Sequence, residues 1–375
     1  MKLSDWKEYR IGELIETIFS GGTPNTKNSD YWNGSLPWLS SGETRNRYIN
    51  VTEKTITDSG AQNSSTRQAL KGDVVMASAG QGYTRGQVSF LNIDTFINQS
   101  VIAIRANEKV LDKKFLFYNL SSRYEELRAI SDSNSIRGSI TTKMVKSMNI
   151  RIPDLNTQKA IANTLSSIDD KIETSKQINH HLEEMATSIF ENMFPNVSSG
   201  KSTIGNYIIL KRGKNLLSKD AIVGKVPVVA GGLQPSTFHN IANTKSPVLT
   251  ISASGANAGY VNLWHIPVWS SDSSYIDISI TDNVYFWYVM LKKRQQEIYD
   301  SQTGSAQPHI YPKHIEIMPT IDLSEDKVSR FTKQVTPLFE SIGNNIKEIG
   351  ELQTLRDTLL PKLLSGEISV NQASK

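Results

Sequence analysis

Two stretches of the chain repeat apolar residues in alternating steps of four and three. The first runs through Ile161, Leu165, Ile168, Ile172, Ser175, Asn179, Leu182, Ala186 and Ile189. The second runs through Phe331, Val335, Leu338, Ile342, Asn345, Ile349, Leu352, Arg356 and Leu359. Seven of the nine positions are apolar in each, against 38% apolar over the whole chain, so the stripes exceed chance. A mean step of about 3.5 predicts two long helices that supercoil on a partner. The stripes match in length and phase. We therefore expect them to face each other as an antiparallel coiled coil, rather than each packing on its own half of the chain. Ser175 and Asn345 interrupt the stripes at the same place. A buried polar group in such a seam costs stability and sets register.

The ends of these helices carry start and stop signals. Pro153 precedes the first, Asn156 or Thr157 is placed to cap it, and Pro195 stops it. Ser324 with Glu325 and Asp326 suits the start of the second, and Gly366 its end. Pro337, Gly343 and Gly350 lie inside the second run; Pro337 predicts a break or kink and a helix that starts nearer to it.

The two stripes are part of a longer repeat. FLFY at Phe115 meets YFWY at Tyr285 at an offset of 170, and Ile140, Lys143 and Met148 meet Ile310, Lys313 and Met318 at the same offset. Further forward the register slips: RIGELIE at Arg10 resembles TIGNYII at Thr203, and VVMASAGQGY at Val74 resembles VLTISASGANAGY at Val248. Insertions therefore belong to the front of each half, and the second half is the shorter. Ahead of each helix lie β-rich runs, Asp73–Ala77, Val101–Arg105, Val248–Ser252 and Tyr275–Ile280, between loops rich in Gly, Ser and Asn. The loops are SGGTPN from Ser20, SSGETRNR from Ser40, SAGQGYTRGQ from Ser78, AGGLQPS from Ala230 and SASGANAGY from Ser252. The expected fold class is α+β: two mixed α/β domains in a pseudo-two-fold repeat, separated by the two long helices. The expected boundaries are 1–152, 153–197, 198–319 and 320–375.

Composition narrows the function. The chain has 375 residues and no cysteine, so disulfides and thiolate metal sites are excluded and a reducing compartment fits. The first residues hold no apolar core of a signal peptide. The densest apolar run, Val284–Leu291, is far shorter than the roughly 20 residues that cross a bilayer, so a cytoplasmic protein without a membrane partner is expected. Net charge is +4 overall but unevenly spread: residues 1–150 and 197–318 carry +4 each, residues 151–196 carry −3 and residues 319–375 carry −1. Two basic blocks suggest two surfaces for a polyanion.

No catalytic motif survives inspection. GKST at Gly200 lacks the upstream glycine of a phosphate loop and follows a helix rather than a strand. Asp154 with Asp169, Asp170 and Lys171 spells a nuclease motif loosely. Its second part lies within a helix, where Asp169 and Lys171 are expected as solvated charges beside the seam. His180 and His181 with Glu183 and Glu184 lack two histidines one turn apart, so no metal site is expected. No Pro-Pro pair occurs, which removes the element with which amino-methyltransferases hold a flipped base. The chain reads as non-catalytic.

Three segments resemble the specificity subunit of type I restriction–modification enzymes. GGTPNTKNSDYWNGSLPWLSSGE at residues 21–43 is similar to the opening of that family's recognition domain. RGSITTKMVKSMNIRIPDLNTQKAIANTLSSID at residues 137–169 is similar to its junction into the central helix, and LLPKLLSGEI at residues 359–368 to its C-terminal ending. In the second half GGLQPS from Gly231 is a faint echo of the opening, and QPHIYPKHIEIMP from Gln307 a diverged junction. The resemblance implies two target-recognition domains, each reading one half of a split sequence in double-stranded DNA. It implies helices that set the spacer and dock two methylation subunits, and a restriction subunit that translocates and cuts. S-adenosylmethionine is expected on the methylation subunits and no cofactor in this chain. A related multi-subunit type II enzyme would use a similar recognition subunit. A coiled-coil protein scaffold unrelated to DNA is the alternative of a different class.

Arginine bonds guanine bidentately and Asn or Gln does so with adenine. On that chemistry the DNA-contacting candidates in the first domain are Arg45, Asn46, Arg47, Gln81, Tyr83, Thr84 and Arg85, with Asn134 and Arg137 behind them. In the second they are Lys211, Arg212, Lys214, Gln234, His239, Asn257 and Tyr260.

Overall fold

In the computed structural model, residues 6–132, 138–304 and 307–373 are described. Asn134 and Arg137 lie outside them. The chain forms two compact units, residues 1–172 with 351–375 and residues 173–350, and both divisions fall inside long helices. Each unit thus holds one α/β body and part of each helix.

The first body has two sheets. In the five-stranded sheet the order is Ile15–Ser20, Val101–Ala106, Val74–Ala77, Val88–Leu91 and Tyr48–Ile49. In the four-stranded sheet it is Lys54–Ile56, Trp32–Leu39, Thr95–Ile97 and Arg67–Ala69. The central strands read as unbroken apolar runs because both of their faces are covered. Val74, Met76, Ile102 and Ile104 join a core with Phe115, Leu116 and Phe117. Their neighbours Val75, Val101 and Ala103 join a second core with Leu39, Leu91 and Ile97. This is the two-residue alternation of a pleated strand, applied to two apolar layers.

The second body repeats the plan with fewer strands. Its four-stranded sheet runs Lys211–Arg212, Ser273–Asp277, Val248–Ser252 and Val261–Trp264, and its three-stranded sheet runs Thr237–His239, Val226–Val229 and Trp269–Ser270. In each body the small sheet pairs one strand parallel, Trp32–Leu39 with Thr95–Ile97 and Val226–Val229 with Trp269–Ser270. Each body is closed by a two-stranded ribbon, Lys7–Arg10 with Asn149–Ile152 and Ser202–Thr203 with Pro319–Thr320. After each ribbon strand the chain makes one turn against the same partner: Ile11 N donates to Met148 O at 2.9 Å, and Ile204 N to Met318 O at 3.0 Å. Glycine follows in both because a Cβ on Gly12 would lie 3.1 Å from Lys146 Cβ, and one on Gly205 3.0 Å from Glu316 Cβ.

Two readings of the second body need correction. AGGLQPS follows Val226–Val229 as SSGETRNR follows Trp32–Leu39, while the strand before Gly21 corresponds to Lys211–Arg212 before Gly213. GGLQPS is therefore no echo of GGTPN. The strand expected over Tyr275–Ile280 is Ser273–Asp277, because Ser279 N and Oγ both donate to Asp277 Oδ1, at 3.0 and 2.6 Å, and turn the chain.

The first long helix is Leu155–Met193 and the second Glu325–Ser365. The first is capped by Asp154 rather than Asn156 or Thr157: Asp154 Oδ1 accepts from Asn156 N at 3.0 Å and Thr157 N at 3.1 Å. Those bonds and one from the Thr157 hydroxyl hold the Asp154 carboxyl below the usual carboxylate range. Of the expected break or kink at Pro337, the break is absent: the second helix is continuous from Glu325 to Ser365. Pro337 and Lys333, whose carbonyl loses its donor, are both exposed, so the helix bond that the ring removes lies on a solvent-facing side rather than in the core.

The seam is wider than a two-position stripe. Ile161, Leu165, Ile172, Val335 and Ile342 are buried. Ile168, Leu182, Ile189, Leu338, Ile349, Leu352 and Leu359 are half-buried, while Asp169, Phe190, Phe339 and Leu360, each next to one of them, are buried. Each helix packs on the other helix and on the α/β body of its unit, which requires a broader apolar face than a free coiled coil. Phe190 meets Phe331 of the other helix edge-on at 5.6 Å and Phe286 of the body at 5.7 Å. Of the polar interruptions, Asn345 Nδ2 donates to Asn179 Oδ1 at 2.7 Å, and Ser175 is buried.

Candidate nucleic-acid interface

In the first unit the loop after Trp32–Leu39 winds into a short 3-10 helix, Ser41–Arg45. Ser40 N donates to Glu43 Oε1 at 2.9 Å, and Glu43 Oε2 accepts from Glu53 N at 2.7 Å. This places Arg45 and Asn46 in solvent. Arg45 donates to Gly42 O at 2.9 Å and pairs with Glu53. The loop between Val74–Ala77 and Val88–Leu91 stands opposite. Gly82 adopts φ +59, which a bulkier residue rarely does, and its carbonyl accepts from Arg128 Nη1 at 2.8 Å. Tyr124 Oη donates to Tyr83 O at 3.0 Å, and the Tyr83 ring is left 83% exposed. Thr44, Arg45, Arg47, Tyr83, Gln87, Ser121 and Tyr124 line the open groove between the loops, about 480 Å³.

Three first-body candidates thus meet at one groove, Arg45, Arg47 and Tyr83. Gln81 is exposed on the same loop and Thr84 half-buried. Arg85 is different: it is buried and paired with Asp132, so it braces the loop instead of facing solvent. Arg47 is rooted below the groove. Its Nε donates to Asp169 Oδ2 at 2.9 Å, and its guanidinium lies over the rings of Phe117 at 4.8 Å and Tyr118 at 5.2 Å. Asp169, expected as a solvated charge, is buried. Tyr48 and Tyr118 hydroxyls donate to Oδ2 at 2.9 and 2.8 Å, and Arg356 Nη1 to Oδ1 at 2.9 Å. Burial alone would raise the Asp169 pKa. Arg47, with hydrogen bonds from Arg356, Arg47 and Tyr118, outweighs it and holds the carboxyl below its usual range. Burial pushes the hydroxyls of Tyr48 and Tyr118 up, reinforced by that carboxylate. One sequence signal pointed here: at the offset of 170 Asp169 meets Phe339, so the position is one that faces a core.

In the second unit Lys211, Arg212, Lys214 and Gln234 are exposed. Arg212 Nη2 donates to Asp272 Oδ1 at 2.6 Å, and the same carboxylate accepts from Ser254 Oγ. Asn257 Nδ2 donates to Gly231 O at 3.4 Å, which ties loop 252–260 to loop 230–236. Tyr260 is half-buried beneath Lys292 Nζ, 4.4 Å from its ring centre. His239 is buried: its Nδ1 accepts from Ile222 N at 3.0 Å and its ring meets Trp269 edge-on at 5.1 Å. It offers no edge to solvent and is a packing residue. Asp272 and Ser254 were not foreseen, since nothing local in SSDSS distinguishes one acid from a solvated turn residue.

Among the described residues no helix is long and apolar enough to cross a membrane, and no three His, Cys, Asp or Glu side chains are grouped to hold a metal.

Residues 3–184 match the family described as type I restriction modification DNA specificity domain. The specificity subunit of the type I restriction enzyme MjaIX of Methanocaldococcus jannaschii is 27% identical over 417 residues, covering 98% of this chain and 94% of that one. The specificity subunit of the HindI enzyme of Haemophilus influenzae is 27% identical over 253 residues, 64% of this chain and 53% of that one. The crystal structure of a type I restriction–modification S subunit from M. genitalium has a TM-score of 0.61 at 21% identity and covers 96% of each chain, a likeness of fold. Residues 3–184 thus match the type I restriction modification DNA specificity domain, and over nearly its whole length the chain is similar to type I restriction–modification specificity subunits.

Proposed function

We propose that each α/β body reads one half of a bipartite duplex DNA target, and that the chain itself performs no chemistry. What carries this reading is the repeat of one strand plan, with loops 40–47 and 78–87 in the first body and loops 230–236 and 252–260 in the second at equivalent strand ends. Arg45, Tyr83 and Gln81 on one body, and Lys211, Arg212, Lys214 and Gln234 on the other, offer solvent-facing donors of the kind that bond base edges and phosphates. The long helices then set the spacer and dock two methylation subunits. Those subunits bring S-adenosylmethionine and methylate adenine, and a restriction subunit joins them in the cytoplasm.

Two measurements on the full chain with its methylation subunits test this. Affinity for duplex DNA should fall steeply between roughly 50 and 200 mM salt, because phosphate contacts release counterions. Exchanging residues 1–152 for the matching segment of a relative should change one half-site of the methylated sequence and leave the other alone. Salt-independent binding, or a change in both half-sites, counts against the reading.

A further inference from the structure

The cluster around Asp169 exceeds what helix packing requires. Asp169 and Arg356 lie on the two long helices, and the counterparts of these positions at the offset of 170 are Phe339 and Ala186, both fully buried. There Phe339 stacks on Tyr285 at 4.7 Å and meets Tyr288 edge-on at 5.7 Å. Apolar side chains thus suffice at these helix positions in one unit, and a buried ion pair is no more stable than such a substitute. The polar version differs in what it holds. In the first unit the Asp169 carboxylate receives an arginine from a reading loop, through Arg47 Nε, and two phenols fix the same oxygen.

Arg47 is held on one edge only. Its side chain is 27% exposed and lines the groove with Arg45, Tyr83 and Gln87. Arg47 Nη2 and Gln87 Oε1 are themselves shielded from solvent and have no hydrogen-bond partner among the described residues, so the exposed part of Arg47 lies elsewhere on its side chain. A guanidinium clamped at Nε and sandwiched against aromatic rings loses little further freedom on binding, which is how arginine makes directional contacts.

Resting on the DNA reading above, we propose that Asp169 is a positioning residue: it orients Arg47, which lines the groove, to contact a base edge of the first half-site. Arg356 and the two tyrosines keep the carboxylate ionised and in place. Asp169 itself touches no DNA.

The test is selection from a pool of duplexes with a randomised 40-base-pair region by the full chain with its methylation subunits. Wild type, Arg47→Lys, Asp169→Asn and the double variant are compared, with thermal unfolding of each. Arg47→Lys and Asp169→Asn should relax base preference at the same position of the first half-site by roughly tenfold, the scale of one base-edge contact. The double variant should relax it no further, and the second half-site should keep its preference. Should Asp169→Asn lose the fold, Asp169→Glu displaces the carboxylate with its charge kept and carries the same expectation. A folded Asp169 variant with an unchanged first half-site, or uniform loss over both half-sites, overturns the proposal. Absence of any enriched sequence with wild type overturns the DNA reading instead.

Discussion

Asp169 and Arg356 join the two long helices of the first unit through a buried hydrogen bond of 2.9 Å, and each also bonds a second partner, Arg47 and Asp357 respectively. Removing one member leaves the other with that second partner. Asp169→Ala removes the carboxylate that Arg47 and Arg356 share and should cost about 3–5 kcal/mol, whereas Arg356→Ala leaves Asp169 with Arg47 and should cost less, about 2–3 kcal/mol. Urea unfolding of the two variants measures the order; equal losses under about 1 kcal/mol would show the pair to be solvated in effect. Because the Asp169 carboxyl sits below its ordinary 3.8 in the folded chain, its contribution is complete above that value and is lost as pH falls through the folded one. Asp169→Asn should therefore blunt acid unfolding only below about pH 4.

Gly343 and Gly350 lie one heptad apart in the second long helix and should respond oppositely to alanine. A Cβ on Gly343 would lie 2.9 Å from His265 Nδ1 and 3.0 Å from Cγ, whereas a Cβ on Gly350 meets nothing within 4 Å. Gly350→Ala should gain up to about 1 kcal/mol from helix propensity. Gly343→Ala gains the same propensity and spends it displacing the His265 ring, so its melting temperature should fall. Equal shifts in differential scanning calorimetry would mean that His265 yields freely.

His265 supplies a pH signature. Burial pushes its pKa down to about 4 from 6.5. The unfolded chain binds a proton through the range in which the folded chain does not, so this stabilisation is present above pH 6.5 and is lost as pH falls toward 4. The loss is at most about 3 kcal/mol. His265→Gln should flatten stability against pH over that window, and an unchanged profile in urea titrations at pH 4.5, 5.5 and 6.5 would assign the acid sensitivity elsewhere.

The two long helices were legible because their signal is local: Ile161, Leu165 and Ile172 recur with Val335 and Ile342 at the spacing of helical turns, which marks one face of each helix without reference to its partner. The repeat was legible for a related reason, since Met148 and Met318 terminate the same ribbon-and-turn contact. The site was legible only as composition. Arg45 and Tyr83 could be named from their loops, but Arg85 and His239 have the same chemistry and are buried, and Asp169 looked like any charge on a helix.

Periodicity along the chain determined that there would be two helices, two similar α/β bodies and polar loops between β runs. Tertiary structure alone decided which polar groups left water. Asp169 is buried because Arg47, Tyr48, Tyr118 and Arg356 converge on it from loop, strand and helices separated by up to 187 positions, and Asn179 finds Asn345 across 166. Burial of a charge is favourable only when its partners are already in place. Partners so distant in sequence leave no trace in any local pattern, so such residues are visible only once the chain has folded.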